Sequence, residues 1–268
     1  GYAQVHAEDV ERPVKVVTDQ RYRYMPGAYF GDNLERYVWN NDPTRPVSDW
    51  TFELDDNNRA WWVATLTEYR VMYWGAVGVG VLLVDPTNGN IQTYPTNRMP
   101  SWIDRMAPAG LVETNLDSYG HLRGGWWNSV FSKTDMMESE TPAIAYGHDG
   151  KFYWVSPMTS ANEADQSMVG VIYTDRTGRG VFYSTAGATM EGVMGAVNNS
   201  VAYKHQHASE PILYNIRGHM TALVPILGES HTFQGVAFVD VTNVQRMAID
   251  ERPLVALHAY ERILGETS

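Results

Sequence analysis

The sequence has no cysteine among its 268 residues. This excludes disulfides, thiolate nucleophiles, cysteine-ligated zinc and iron–sulfur clusters together, and it leaves the compartment unfixed by redox logic. Cations are scarce: 20 Lys plus Arg stand against 31 Asp plus Glu, a net charge of −11. Such a chain repels nucleic-acid phosphates and anionic lipid surfaces on average, and no Lys/Arg cluster offsets this. Long apolar runs are missing as well. The longest uncharged stretch, Val71 to Val84, has fourteen residues with three glycines, too few to span a bilayer as a helix. No G-x-S-x-G, H-E-x-x-H or G-x-x-x-x-G-K-[ST] signature occurs.

With 44% hydrophobic residues the chain can bury a proper core. Its outlying feature is aromatic: 9 Trp and 16 Tyr against 7 Phe. Amphipathic rings suit interfaces and sugar-binding faces, but they also fill sheet surfaces. Position within the fold decides between these uses.

The stretch from Gly80 to Thr87, GVLLVDPT, has two further copies, Gly170 to Thr177 (GVIYTDRT) and Gly235 to Thr242 (GVAFVDVT). The shared pattern is G-V-x-x-x-D-x-T, with fixed residues Gly80, Asp85, Thr87, Gly170, Asp175, Thr177, Gly235, Asp240 and Thr242. An internal repeat outranks any single local motif as a guide to architecture. Each copy follows an apolar run, a turn signal and an earlier strand-like run, and each precedes a short fourth run. The unit therefore reads as a four-stranded antiparallel meander. An Asp two residues before Thr at a strand exit predicts an Asx-turn, and the opening Gly predicts a bulge or the close approach of another backbone.

Helical periods follow the meanders. Pro253 to Leu264 has apolar residues at helical spacing, Pro at its start and Gly265 just beyond its end. Met190 to Tyr203 is a weaker version, and Ser101 to Val112 is interrupted by Pro108. The expected class is α+β: three antiparallel β-meander repeats with helices packed on one face. The expected divisions are an N-terminal extension (1–48), repeat 1 with an aromatic connector (49–138), repeat 2 (139–208) and repeat 3 (209–268).

The strand-and-turn stretches Val84 to Tyr94 and Thr174 to Tyr183 resemble the closing hairpin of PepSY-type domains. Pro100 to Arg105 and Gly124 to Asn128 are similar to segments of uncharacterised membrane-anchored bacterial proteins carrying such hairpins. The resemblance implies a PepSY-like or cystatin-like fold and an extracytoplasmic interaction module without catalysis of its own. The chain opens on Gly1-Tyr2-Ala3, as expected after loss of a signal or anchor.

Candidate interaction residues lie in the least repeat-like segment: Trp102, His121, Arg123, Trp126 and Trp127. Long connections rich in such residues are often functional. A packed connector that anchors two repeats through Trp126 and Trp127 is the preferred reading, and then Trp126→Ala destabilises as loss of a buried aromatic. His205 and His207 have the spacing of metal ligands, but no third ligand is near in sequence. Glu53, Asp55 and Asp56, or Asp104 with Glu113, could form a glycosidase pair only if folding sets them across a cleft. The glycine run from Gly75 to Gly80 is not G-x-G-x-x-G and leads into strand-like residues, so it is not a nucleotide loop.

The expected function is a non-enzymatic envelope or surface module that docks onto protein partners within a larger assembly, without cofactor, nucleic acid or membrane insertion of this segment. The alternative is a glycan-binding or glycan-hydrolysing protein, which requires a groove lined by aromatic residues.

Overall fold

A computed structural model describes residues 1–5, 12–44, 47–70, 75–104, 106–122, 137–147, 150–160 and 167–265. The chain divides into two compact units, Gly1–Pro108 and Ala109–Ser268. The first opens with an antiparallel ribbon of β1 (Tyr2–Gln4) and β2 (Lys15–Val17), followed by helix α1 (Leu34–Asn41). Four strands follow: β3 (Val47–Leu54), β4 (Ala60–Arg70), β5 (Gly75–Val84) and β6 (Ile91–Pro95). They form an antiparallel sheet in chain order.

Both faces of this sheet are covered. Trp61, Val63, Val81 and Leu83 pack against Met99, Ile103 and Met106 on one side. Trp62, Leu82 and Val84 meet Tyr24, Leu34 and Val38 on the other. Burial on two faces explains why β5 ends in the continuous run VLLV and not in an alternating pattern. Helix α1 starts where the Asn33 side chain accepts the Arg36 N–H at 3.0 Å, and its Leu34 and Val38 lie one turn apart on the buried stripe.

The second unit begins with α2 (Ala109–Leu122). Strands β7 (Met137–Ser139), β8 (Ala143–Tyr146), β9 (Phe152–Ser160), β10 (Met168–Asp175) and β11 (Gly180–Gly187) form one antiparallel sheet. There β7 and β8 share one edge of β9, and β11 closes the far side. Helix α3 (Met190–Val201) leads to β12 (Gln206–Ala208), β13 (Ile212–Ile216), β14 (His219–Gly228), β15 (Phe233–Asp240) and β16 (Met247–Asp250), then α4 (Pro253–Gly265). In this second sheet β12 and β13 share one edge of β14. Val155 and Val171 of the first sheet and Leu213, Val224 and Val239 of the second belong to one core with Met190, Val193, Val197 and Val201 of α3. On the opposite face of the second sheet, Val236, Phe238 and Ala248 meet Ala256, Tyr260 and Leu264 of α4.

These observations correct the expected fold class. The protein is predominantly antiparallel β, with sixteen strands and four α-helices among the described residues. The helices do not share a face: α3 and α4 pack on opposite sides of the β14–β15 sheet. The α+β, PepSY-like or cystatin-like arrangement of helices on one side is therefore absent. Helix period alone showed that these segments have an apolar stripe, but which sheet face receives the stripe depends on chain routing. The helix read from Ser101 begins only at Ala109. Residues 99–104 lack regular structure, and Met99, Ile103 and Met106 anchor this part of the chain on the sheet.

The repeated stretches occupy equivalent positions. Register shifts by one residue where β4 meets Gly80, where β9 meets Gly170, and where β14 meets Gly235, leaving Val79, Val169 and Gln234 as the extra residue. A Cβ on Gly80 would strike the main chain at Tyr94, and one on Gly235, whose φ is 153°, would come within 2.6 Å of the Asp250 carbonyl. At Gly170 the Phe182 ring fills the space. Each strand then ends in an Asx-turn. The Oδ1 atoms of Asp85, Asp175 and Asp240 accept from the N–H of Thr87, Thr177 and Thr242 at 2.8, 2.8 and 2.9 Å. The same oxygens accept the threonine hydroxyls at 2.5, 2.6 and 2.6 Å. These nine residues build bulge and turn.

Candidate functional site

The second unit's two sheets share a core filled by aliphatic side chains and α3, and at one end of that layer tyrosines replace the aliphatics. Strand alternation puts them there. Tyr173 is paired with Val155 across β9 and β10, Tyr183 with Val171 across β10 and β11, and Tyr153 with Ala145 across β8 and β9. Since Val155, Val171 and Ala145 belong to the shared core, the three tyrosines face the same side. Tyr214 and Met220 approach from β13 and β14, which are joined by a two-residue turn with Arg217 and Gly218 at φ 52° and 88°. The Asn215 side chain accepts the Gly218 N–H at 2.9 Å and holds that rim.

The result is a cleft of about 790 Å³ lined by five tyrosines (Tyr146, Tyr153, Tyr173, Tyr183 and Tyr214) with Ser184, Thr185, Asn215 and Met220. Among the described residues no Asp, Glu, Lys or Arg lines it, in a chain whose charged residues make up 19%. The rings of Tyr173 and Tyr183 stand edge to face, 5.6 Å apart at 81°, so they form two walls of a notch and not a flat platform. The Tyr173 hydroxyl points to Met220 Sδ at 3.9 Å. Burial, with smaller contributions from Tyr183 and Tyr214, pushes the Tyr173 phenol above its ordinary pKa, and burial does the same to Tyr214. Both remain protonated donors at neutral pH. The described lining offers ring faces and neutral hydroxyls.

A second cleft, about 450 Å³, lies at the N-terminal end of α3 and has the opposite character. Glu113, Glu138, Glu140, Glu191 and Glu210 line it without a cation. Burial first, then the charges of Glu210 and Glu191, raise the Glu140 pKa, against the pull of the Met190 N–H that Glu140 accepts at 3.4 Å. A carboxyl raised in the folded state stabilises the fold below its unfolded pKa, and that contribution is lost as pH rises through the folded value. Glu140→Gln is therefore expected to raise the melting temperature at pH 7, with the gain shrinking toward pH 4. An equal gain at both pH values would mean that charge is not its source.

Trp102 packs on Trp61 with ring centroids 6.4 Å apart. His121 lies at the end of α2, and Arg123, Trp126 and Trp127 fall outside the described residues. His205 and His207 do not converge on a metal: His205 faces Glu229 at 3.7 Å, while His207 packs edge-on against His231 at 5.6 Å. Among the described residues no group of three or more histidines and carboxylates could hold a metal ion. Glu53 accepts from Thr51 and from the Asp104 N–H, and Asp55 accepts from Asn57, Arg59 and the Trp61 indole. Burial raises the Asp55 pKa, but these bonds and the Arg59 charge outweigh it and hold the carboxyl below its ordinary value. These carboxylates cap turns. No described helix is long and apolar enough to cross a membrane.

No family model matches the chain. No curated protein matches it either. Among solved structures, cobalt-substituted Synechocystis ACO aligns over 75% of this chain and 35% of its own at 11% identity, with a TM-score of 0.22. An ACO/RPE65 chimera aligns over 75% and 35% at 11% identity, with a TM-score of 0.21. The chain spans about a third of the length of these structures, and likeness of this size says nothing about its fold or activity.

The tyrosine cleft escaped the sequence reading because its tyrosines come from five different strands and form no local motif. The only available signal was the surplus of Tyr over Phe.

Proposed function

We propose that this protein is a non-enzymatic docking module, part of a larger extracytoplasmic assembly, and that the tyrosine cleft is where a protein partner seats. The observation that carries this is the uncharged, five-tyrosine lining at the open end of the two-sheet core. Aromatic residues with a polar tip are enriched where proteins meet, because they bury large area at low entropic cost and still hydrogen-bond at the rim. Tyr146 and Tyr183 are more than half exposed, so they have surface left to bury. Among the described residues the lining supplies recognition groups and no acid–base pair, which favours binding over turnover.

The test places a photo-crosslinking amino acid at Tyr146 in the protein within its own source. Crosslinked polypeptide at that position, with affinity for the same partner reduced about tenfold or more by Tyr214→Ala, is the expected result. Retention on polysaccharide that Tyr146→Ala abolishes, without a polypeptide adduct, would transfer the cleft to a glycan. No adduct and no retention would sink the reading.

A further inference from the structure

The two clefts of the second unit adjoin. Along β8, Ala143 lines the glutamate cleft and Ala145 the tyrosine cleft; along β9, Val155 lines the first and Tyr153 the second. Residues two apart on a strand share one face at a separation of about 7 Å, so the rings stand beside a group of carboxylates. Glu140 carries the mark of that group: burial first, and then the charges of Glu210 and Glu191, raise its pKa. The whole chain adds to this field with its net charge of −11. A cation is therefore drawn toward these clefts and an anion is turned away.

The tyrosine cleft has the shape that receives one. Tyr173 and Tyr183 meet edge to face, 5.6 Å apart at 81°, and a corner of such a junction is bounded by one face of each ring. Ring faces carry the negative part of the aromatic quadrupole and attract a cation that comes within about 6 Å of the centroid. Tyr146, Tyr153 and Tyr214 add further rings to the same lining. Within the first unit the chain already uses this contact, with the guanidinium carbon 5.3 Å from the ring centroid in both Arg23 over Tyr24 and Arg59 over Trp61. Of the two cationic side chains a partner could insert, arginine fits better. Its guanidinium is planar, weakly hydrated and stacks on rings, and its five N–H donors match the phenol oxygens and the Ser184 and Thr185 hydroxyls of the lining. Lysine brings a strongly hydrated point charge that loses more on entry. Tyr146 and Tyr183 are 60% and 54% exposed, so the head group keeps part of its hydration and the cost stays well below that of full burial.

We infer that the tyrosine cleft receives an arginine side chain of the partner polypeptide, with the guanidinium on the ring faces and its charge favoured by the neighbouring glutamates. This rests on the docking reading of the cleft and names the group that the partner inserts.

The experiment follows the tyrosine ring signals of the isotope-labelled full chain by NMR, near neutral pH and at low salt. The probes are blocked pentapeptides, glycine except for a central arginine, citrulline or lysine. Citrulline keeps the length and planar head of arginine without its charge. Expected are saturating shifts of the Tyr173, Tyr183 and Tyr214 rings with the arginine peptide, at an affinity about fivefold or more above that of citrulline and also above that of lysine. Tyr183→Leu should abolish the preference for arginine over citrulline and Tyr183→Phe should keep it, because the ring face and not the hydroxyl holds the charge. Tyr183→Leu also disturbs the ring pair with Tyr173, so a second variant leaves the cleft lining intact: Glu191→Gln with Glu210→Gln should weaken arginine binding about threefold and leave citrulline binding unchanged. Equal affinity for arginine and citrulline overturns the inference and leaves the cleft as a docking site. Lysine binding at least as tightly as arginine overturns the guanidinium assignment, and unchanged arginine affinity in the double glutamine variant overturns the part given to the glutamates. No shift of any cleft tyrosine with any peptide overturns the inference as well, and crosslinking at Tyr146 then decides the docking reading separately.

Discussion

Replacing Tyr260 with alanine is expected to cost about 4 kcal/mol of stability, the largest loss anticipated for a single side chain here. The residue is 0% exposed, the largest fully buried side chain among the described residues. Its ring stacks against Phe238 with centroids 6.1 Å apart and sits between Ala256 and Leu264 on the one stripe that attaches α4 to the second sheet. Truncation leaves a ring-sized cavity beneath a helix that has few other anchors. Its hydroxyl lies 2.9 Å from Thr221 Oγ1, so Tyr260→Phe should cost a smaller amount, about 1 kcal/mol, because Thr221 keeps its bond to the His219 carbonyl. Urea unfolding with an unchanged slope is the measurement. If alanine and phenylalanine cost the same, the hydroxyl and not the packing holds the helix.

The same residue makes an alkaline prediction. Burial pushes the Tyr260 phenol up to about 12; the Thr221 bond and the Arg246 charge pull it down, while Asp240 adds to the rise. An unfolded tyrosine titrates near 10. The folded form holds its proton more tightly, so the contribution is complete below about pH 10 and lost as pH rises toward about 12. The wild-type protein should lose stability across that interval more steeply than Tyr260→Phe. Parallel curves would show that Tyr260 does not remain protonated in the fold.

What was legible in the sequence was local and periodic. The Asp-x-Thr turns, the glycines facing neighbouring backbones and the helix from Pro253 follow from short-range geometry: an Asx-turn needs only two residues, and a helix stripe needs only a period. The routing of those pieces was not legible. Met190 to Val201 and Pro253 to Gly265 both show an apolar stripe, and nothing in either stripe records that one meets the inner face of the second sheet and the other its outer face. Residues 99–104 bury Met99 and Ile103 without regular structure, so no period marks them. The cleft was hidden for the same reason: Tyr146, Tyr153, Tyr173, Tyr183 and Tyr214 become neighbours only once two sheets are stacked.

Substitution of the three repeated aspartates by alanine is expected to give unequal losses, although the sequence makes them look interchangeable. Asp175 uses one oxygen, which accepts from Thr177 and from the Arg179 N–H at 3.0 Å at a partly exposed turn. Its removal should cost about 1 kcal/mol, the worth of a cap. Asp85 adds Asn88 at 3.0 Å and Arg59 at 3.3 Å on its other oxygen, and about 2 kcal/mol is expected. Burial raises the Asp85 pKa, but the Thr87 and Asn88 bonds and Arg59 outweigh it, so the carboxyl titrates below its ordinary range. That contribution is present above about pH 4 and lost as pH falls further; Asp85→Asn should flatten this acid loss.

Asp240 is the extreme of the series. Its carboxylate is 0% exposed, with one oxygen in the turn and the other 3.3 Å from His219 Nδ1 and 3.7 Å from Arg246 Nη1. That second oxygen has the Arg246 guanidinium and the His219 ring beside it but no aligned hydrogen bond. Removing one partner from such a buried group leaves the others uncompensated, and Asp240→Ala should cost about 3 kcal/mol. Asp240→Asn keeps the turn acceptor and should recover the cap alone. Asp175 and Asp240 lie in the same compact unit, so one unfolding transition compares them directly. Equal losses at the two positions would mean that His219 and Arg246 contribute nothing, and that the third copy is a turn like the others. A larger loss at Asp240 that Arg246→Met reproduces would show that the Arg246 charge supports this buried copy in a way that the partly exposed Asp175 turn lacks.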